Sequence, residues 1–486
     1  MNKYSNKKNF IVYNLQSLFV ILIPMISIAI FSRIFTPKDY GLLALAILFG
    51  NITSTLINFG MHNAYETFYF KTNSDEKKDE LFNTIISFNF FLFLLIYFPV
   101  NYFIDSVCDF FNVSADYSQI FLLGYLACNL ITINNFFLLR TRNEKNSLMN
   151  SKIKIGIILI QLFLSIYFVL YLKYGIEGLV FSQLYSNLIL FIMCLTLFIN
   201  RKKFFNINTL IEAFRFSIPL FPRMITGIVN ISYDKFLINI LSSAGSLGVY
   251  DIAIRISSQC INFQGTLQNT FLPDFYNMAN NREINKSKLP KFLMKYFFIA
   301  ILFCQFVSYF SFELISILTP KDFHEAIFLV SILSLAMSLI FFGTVPILIH
   351  LKRTFLISKL SILTLIITLS IVIPLSYSHG VTGTVFGILL SNLINQTIAF
   401  LKTNSLYPLE WDFKNIFLIY LYLFISTVVV IYLREIELNY LLRLLVKLIL
   451  ITALIYYGNL TKIFDFKYYF NIFFNKVNSI LQLKNT

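Results

Sequence analysis

Three stretches of otherwise apolar sequence carry ionisable and amide side chains at helical spacing. In one, Arg223, Asn230 and Asp234 lie 7 and 4 residues apart and so share a helix face, with Lys235 about a third of a turn away. In a second, Asp251, Arg255, Gln259, Asn262, Thr266 and Asn269 form a continuous polar stripe, and in a third Asn51, Thr55, Asn58, His62 and Glu66 do the same. An ionisable group at bilayer depth costs several kcal/mol unless it faces protein, water or a partner, which makes each one a candidate for function. The chemistry these residues offer is electrostatic and hydrogen-bonding capture of a charged, polar cargo by guanidinium, ammonium and amide groups. Covalent chemistry has no such basis: the sequence holds no Gly-rich phosphate loop, DxD pair, GxSxG elbow or His/Cys cluster at metal spacing. Structural roles compete for the same residues. Asp251 precedes Arg255 by four, the favourable order for a helix ion pair, and Asp234 is placed to satisfy Arg255 or Arg223 from a neighbouring helix. His62 suits either a cavity or a satisfied interior position, Glu66 and Glu313 are candidates for coupling to H+ or Na+, and Arg33 and Asp39 suit an outer rim.

The elements that must position these groups follow from composition. Of 486 residues, 57% are apolar and only 13% are charged, against about a quarter charged in an average soluble protein. A water-soluble enzyme is excluded. Fourteen apolar runs of 18 or more residues are separated by polar breaks, and at about 20 residues each they leave no room for a large extramembrane domain. The net charge of +15 suggests nucleic acid only if a soluble basic face exists, and none does. If the N-terminus is inside, 29 Lys and Arg fall on inner loops, six on outer loops (Arg33, Lys38, Lys173, Lys321, Arg434, Arg443) and four within the membrane (Arg223, Lys235, Arg255, Lys447). That asymmetry places both termini in the cytoplasm. Lys3, Lys7 and Lys8 precede a first helix that is retained. The five cysteines are scattered in apolar runs and read as buried apolar residues, and the aromatic, basic tail from Lys462 reads as an amphipathic segment at the inner interface.

The chain also repeats itself. GIEGLVFSQLYSNLI from Gly175 and GVTGTVFGILLSNLI from Gly380 agree at nine of fifteen positions with an offset of 205, and an offset of 207 places Gly41 on Gly248 at matching outer turns. The expected architecture is an all-α polytopic membrane protein of about 14 transmembrane helices. It comprises two parallel six-helix halves, 1–205 and 206–403, then an appended helix pair over 404–461 and a tail over 462–486. Repeats of this kind accompany transporters that rock two bundles around a central site. The 207 offset sets Asn51, Thr55 and His62 opposite Ser258, Asn262 and Asn269, so the polar stripes are expected to line one water-filled cavity between the halves.

With SRIFTPKDYG after the first helix, SYDKFLINI in the seventh and GVYDIAIRIS opening the eighth, the chain resembles the bacterial polysaccharide flippases of the Wzx type. These belong to the superfamily that also holds the multidrug and toxic-compound antiporters and the lipid II flippases. The resemblance implies translocation of an undecaprenyl-pyrophosphate-linked oligosaccharide, the O-antigen or capsule repeat unit of lipopolysaccharide and surface polysaccharide biosynthesis. Movement would run from the inner to the outer leaflet of the cytoplasmic membrane, by alternating access. On that reading Arg223, Lys235 and Arg255 contact the pyrophosphate or acidic sugars, the stripe amides meet sugar hydroxyls, no cofactor is needed beyond a coupling H+ or Na+, and the protein is a monomer and not an enzyme. A polysaccharide polymerase and a chain-length regulator would be its partners. Two other classes stay open: a drug antiporter of the same superfamily, which would want buried carboxylates for cations, and a polytopic polymerase or ligase, which would want a sizeable outer loop.

Overall fold

The computed structural model describes residues 16, 19–72, 74–144, 146–198, 205–280, 286–340, 344–436 and 439–463. The N-terminal lysines and the tail from residue 464 lie outside them. Among the described residues all regular structure is helical. The elements are α1 (Phe19–Phe31), α2 (Pro37–Asn58), α3 (Met61–Lys71), α4 (Asp75–Tyr102), α5 (Ile104–Phe110), α6 (Ser118–Asn143), α7 (Ser147–Ile166), α8 (Glu177–Phe198), α9 (Ile207–Ser217), α10 (Phe221–Leu241) and α11 (Ala244–Asn280). They continue with α12 (Lys288–Tyr309), α13 (Ser311–Leu318), α14 (Ala326–Ser338), α15 (Thr344–His350), α16 (Thr354–Leu406), α17 (Phe413–Glu435) and α18 (Tyr440–Leu460).

Nine helices among the described residues are long and apolar enough to cross a membrane, so this is a multi-pass membrane protein. The helices α10 and α11 are long enough but fall outside that set. They are the two that carry the Arg223–Asp234 and Asp251–Asn269 polar stripes. Small polar residues mark where helices begin. Asn146 caps α7 at Met149 N (3.1 Å), Asn206 caps α9 at Asn208 N (2.9 Å) and Asp412 caps α17 at Asn415 N (3.2 Å), each supplying an acceptor to an orphan N–H of the first turn.

Two predicted helices are interrupted. The second predicted span is α2 and α3, because Phe59 (φ 50°) and Gly60 (φ 81°) both adopt the left-handed conformation and end the first segment. Its polar residues therefore do not form one stripe: Asn51, Thr55 and Asn58 belong to α2, and His62 and Glu66 to α3. The seventh begins with α9 and a short 3-10 turn, Ile218–Leu220, before α10, and Pro219 falls within that turn.

The internal repeat has a physical basis. Gly175 (φ 62°) and Gly380 (φ 57°), related by the 205 offset, both take left-handed backbone at the turn between two helices, a conformation that glycine adopts at no steric cost. Gly380 is where α16 breaks into two arms. Hydroxyl pairs staple each hairpin, Ser165 to Ser182 (2.7 Å) across α7 and α8, and Ser376 to Thr384 (2.8 Å) across the α16 break. The repeat-related Asn187 and Asn392 each tie the last helix of their half to the fourth. Asn134 Nδ2 donates to Asn187 O (2.9 Å) and Asn392 Nδ2 donates to Ala336 O (3.3 Å). Gly380→Ala is expected to lower stability by about 1–2 kcal/mol through backbone strain, read as a lower thermal unfolding midpoint of the purified protein. Gly156→Ala, in the interior of α7 with open space around it, serves as the control and should not lower it.

The chain packs as two compact units. One comprises residues 1–252, 317–325 and 361–384, and the other 253–316, 326–360 and 385–486. In the first, α2 and α6 approach until backbone meets backbone at Gly50 and Gly124, the small-residue packing that membrane helices use for close contact. In the second, α12 and α14 exchange reciprocal bonds, Ser308 Oγ to Ser331 O (2.9 Å) and Ser331 Oγ to Ser308 O (2.8 Å), while Gln264 Nε2 donates to Met337 O (2.9 Å). All five cysteines are buried, as their apolar surroundings predict.

Candidate functional site

The residues that carry the sequence motifs converge, within the first unit, at the turns that open α2 and α11. Thr36 is the N-cap of α2, and its capping box is complete. Thr36 N and Oγ1 both donate to Asp39 Oδ2 (2.8 and 2.7 Å), and Asp39 N donates back to Thr36 Oγ1 (3.4 Å). Pro37 follows at the first helical position, where its missing N–H costs nothing. The repeat partners of Thr36 and Asp39, Ser243 and Ser246, cap α11 in the same way, with Ser246 N donating to Ser243 Oγ (3.1 Å). Two helices of different halves thus start from equivalent caps.

Those two helices then cross at their first turns. A Cβ on Gly41 would lie 1.9 Å from Ala244 O, and a Cβ on Gly248 would lie 1.8 Å from Pro37 O. Gly41 and Gly248 are 207 apart, and so are Pro37 and Ala244. The contact is therefore reciprocal: each glycine receives the opening residue of the other helix.

The same offset recurs one layer away. Ser32 Oγ donates to Leu318 O (2.9 Å) and Asn239 Nδ2 donates to Phe111 O (2.7 Å). Ser32 pairs with Asn239 and Phe111 with Leu318 under the 207 offset. The residue that closes the first helix of either half thus holds a backbone carbonyl of the other half's outer segment. Arg33 Nη2 adds a bond to Ile317 O (2.8 Å), and Tyr40 lies edge-on to Phe323 with centroids 5.5 Å apart. Four contacts obeying one symmetry operator make an interlock between halves at the end that the charge asymmetry assigns to the outside.

Behind the interlock, α10 and α11 are joined by two consecutive rungs. Tyr250 Oη donates to Asp234 Oδ2 (2.5 Å), and Lys235 Nζ lies 2.5 Å from Asp251 Oδ1. Asp234 Oδ1 also accepts Lys235 N (2.8 Å). The Asp251 side chain is 1% exposed and that of Lys235 18%, so this is a buried ion pair whose members depend on each other. Lys235 was expected to line a cargo route, and its ammonium is held by Asp251 across the short turn at residues 242 and 243 that joins α10 to α11.

The remaining predicted residues are distributed as follows. Along α11 beyond the rungs, Gln259 Nε2 donates to Arg255 O (3.0 Å), Asn262 Nδ2 to Gln259 Oε1 (3.0 Å), and Gln259 is buried. Asn230 is exposed and caps back to Thr226 O (3.0 Å). On α2, Asn51 is exposed, Thr55 Oγ1 donates to Asn51 O (2.8 Å), and Asn58 is buried with no partner for Nδ2 among the described residues. His62 stacks flat on Phe136, centroids 4.1 Å apart. Glu66 pairs with Arg142, and Glu313 receives Lys447 Nζ at 2.7 Å on both oxygens. The side chains of Arg223 and Asn269 lie outside the described residues. Ser32, Asn239 and Tyr250 were not singled out from sequence. The 207 offset that pairs Gly41 with Gly248 also pairs Ser32 with Asn239, and was the signal available for those two.

Residues 30–328 match the family model described as polysaccharide biosynthesis protein, a stretch that contains every contact of the interlock. No curated protein sequence matches. Among solved structures, a lipid II flippase MurJ in an inward closed conformation is similar with a TM-score of 0.71 and 17% identity, covering 93% of this chain and 100% of its own. The Vibrio cholerae MATE transporter VcmN in a bent form gives 0.54 at 13% identity over 83% and 98%. An inward-facing multidrug resistance MATE transporter of the MOP superfamily gives 0.54 at 16% identity over 82% and 94%. At these identities the likeness is one of fold, and it is shared between a lipid II flippase and MATE transporters. The family rests on the sequence match over more than half of the chain: this protein belongs to the polysaccharide biosynthesis protein family.

Proposed function

We propose that the protein flips an undecaprenyl-pyrophosphate-linked oligosaccharide, an O-antigen or capsule repeat unit, from the inner to the outer leaflet of a bacterial cytoplasmic membrane. The observation that supports this reading is that the family-bearing motifs build a symmetry-related set of contacts, Gly41 with Ala244, Gly248 with Pro37, Ser32 with Leu318 and Asn239 with Phe111. A lipid-linked sugar head must pass that point. Contacts of this kind suit a protein that opens and recloses, since each is made of caps, close backbone approach and single hydrogen bonds and not of an extended apolar interface.

In the proposed cycle the six-helix halves rock about this crossing while the isoprenoid tail stays in lipid. The head group meets Arg255, Gln259 and Asn262 on α11, with Arg223 and Asn230 on α10 and Asn51, Thr55, Asn58 and His62 on α2 and α3 as further polar contacts. Guanidinium groups suit a pyrophosphate through bidentate, charge-assisted bonds. Lys235, Asp234 and Asp251 act one step removed, by holding α10 to α11. Glu66 and Glu313 are the carboxylates through which a proton or sodium gradient would act, by competing with Arg142 and Lys447.

The test is reconstitution. Purified protein in liposomes is expected to move a pyrophosphate-linked oligosaccharide and leave a cationic dye untouched, and Arg255→Gln is expected to reduce the rate at least tenfold. Transport of the dye without the lipid-linked sugar would favour the antiporter reading.

A further inference from the structure

A second basic site lies away from the interlock, wholly within the second unit. A small, open-sided cleft lies between α13, α14, α17 and α18, with Glu313, Arg434, Arg443 and Lys447 in its wall. The charges do not cancel. Lys447 Nζ is held by both oxygens of Glu313 at 2.7 Å, which neutralises that pair. Two guanidinium groups are then left over, and among the described residues neither Arg434 nor Arg443 has a carboxylate partner. Arg443 is fixed over the Phe312 ring at 5.7 Å, and its buried Nε has no hydrogen-bond partner among the described residues.

Arg434 stands in the last turn of α17, where the helix dipole favours a cation, but the position of Arg443 is unfavourable without a ligand. Arg443 stands at the first turn of α18, where the positive end of the helix dipole opposes a cation. Arg434 and Arg443, at facing ends of α17 and α18, are also two of only six Lys and Arg that the charge count assigns to the outer side, where cations are depleted. The rest of the wall is apolar, with Phe312, Phe328, Ile431 and Leu433, and α18 turns Leu441, Leu442 and Leu445 outward, each more than half exposed, as a lipid-facing surface does. A paired guanidinium site at the head-group level with an apolar wall beneath it suits an amphiphile whose head is a phosphate.

We propose that this cleft binds the phosphate-bearing head of a lipid from the outer leaflet, through Arg434 and Arg443. Two sources share that chemistry, a membrane phosphoglycerolipid and an isoprenyl pyrophosphate. The inference does not rest on the proposed flipping activity, because binding is read without transport. Full-length protein, delipidated in neutral detergent, is titrated with phosphatidylglycerol, undecaprenyl pyrophosphate or inorganic phosphate and followed by native mass spectrometry. The wild type is expected to retain at least one of the two lipids, and Arg434→Gln/Arg443→Gln to weaken that binding at least tenfold while remaining monodisperse. Arg443→Lys, which keeps the charge, should recover part of it and covers the case of a double variant that fails to fold. Tighter binding of undecaprenyl pyrophosphate identifies the isoprenyl carrier as the ligand, and equal or tighter binding of phosphatidylglycerol identifies the membrane lipid. The proposal is overturned if the wild type holds neither lipid, if inorganic phosphate alone binds, or if the glutamine variants bind as the wild type does.

Discussion

Gly41→Ala is expected to shift the protein towards an outward-open state and to slow export, and Gly248→Ala to do the same. The added Cβ would sit 1.9 Å from Ala244 O in one case and 1.8 Å from Pro37 O in the other, and because the obstructing atoms are backbone, no side chain can turn away. The helices must part by roughly 1 Å or more to restore normal contact, at the cost of about 1–3 kcal/mol typical of an overpacked site. That penalty applies only while α2 and α11 are crossed. It therefore enters as a difference between two states, worth about 5- to 150-fold in their ratio. The check is the rate at which a membrane-impermeant thiol reagent, added outside, modifies Cys in place of the buried Tyr40. It should rise in both variants by at least fivefold, and the double variant should add little, since the two glycines share one crossing.

Asp251→Asn is expected to be the most damaging single change. It leaves the Lys235 ammonium in a buried setting without its counter-charge, a loss of about 3–5 kcal/mol by analogy with broken buried ion pairs. Removing both charges, as Lys235→Met/Asp251→Leu, is expected to return most of the stability, because desolvation offsets much of the attraction within such a pair. Thermal unfolding and export should be read together. If Lys235 acts only by holding α10 to α11, the double variant is stable and exports. A double variant that is stable and silent would instead return Lys235 to the group that touches the cargo.

How much of this could be read in the sequence depends on the range of the interaction. Local signals were legible. The two GxxG turns, with Gly175 and Gly380 in left-handed backbone, stand out because nothing but glycine is comfortable there. The 207 offset between Gly41 and Gly248 was visible because both sit at the start of a polar-capped helix. Pairing between helices was not legible. Helix spacing could offer Arg255 to Asp251, but spacing along one helix carries no sign of Lys235, which reaches Asp251 from α10 across a tight turn. Glu313 and Lys447 are 134 residues apart, so only packing brings them together. The break at Phe59 was hidden because a left-handed phenylalanine leaves no mark in composition, although Gly60 beside it is one. The role of SRIFTPKDYG was half legible. Arg33 and Asp39 were placed at the outer rim, but that the motif is a cap, a crossing and a carbonyl clasp depends on Leu318 and Ala244, which are remote in sequence.

The two halves meet at a symmetric interlock, and the proposed cycle requires it to open for cargo to leave. Ser32→Cys/Leu318→Cys and Asn239→Cys/Phe111→Cys, in a background without the five native cysteines, place a thiol pair at each of its two operator-related clasps. A short, reductively cleavable crosslinker applied to either pair, in proteoliposomes moving a lipid-linked oligosaccharide, is predicted to arrest transport. Reductant should restore it in both cases and to the same extent. Transport at the uncrosslinked rate, with either pair fully bridged, would contradict the account.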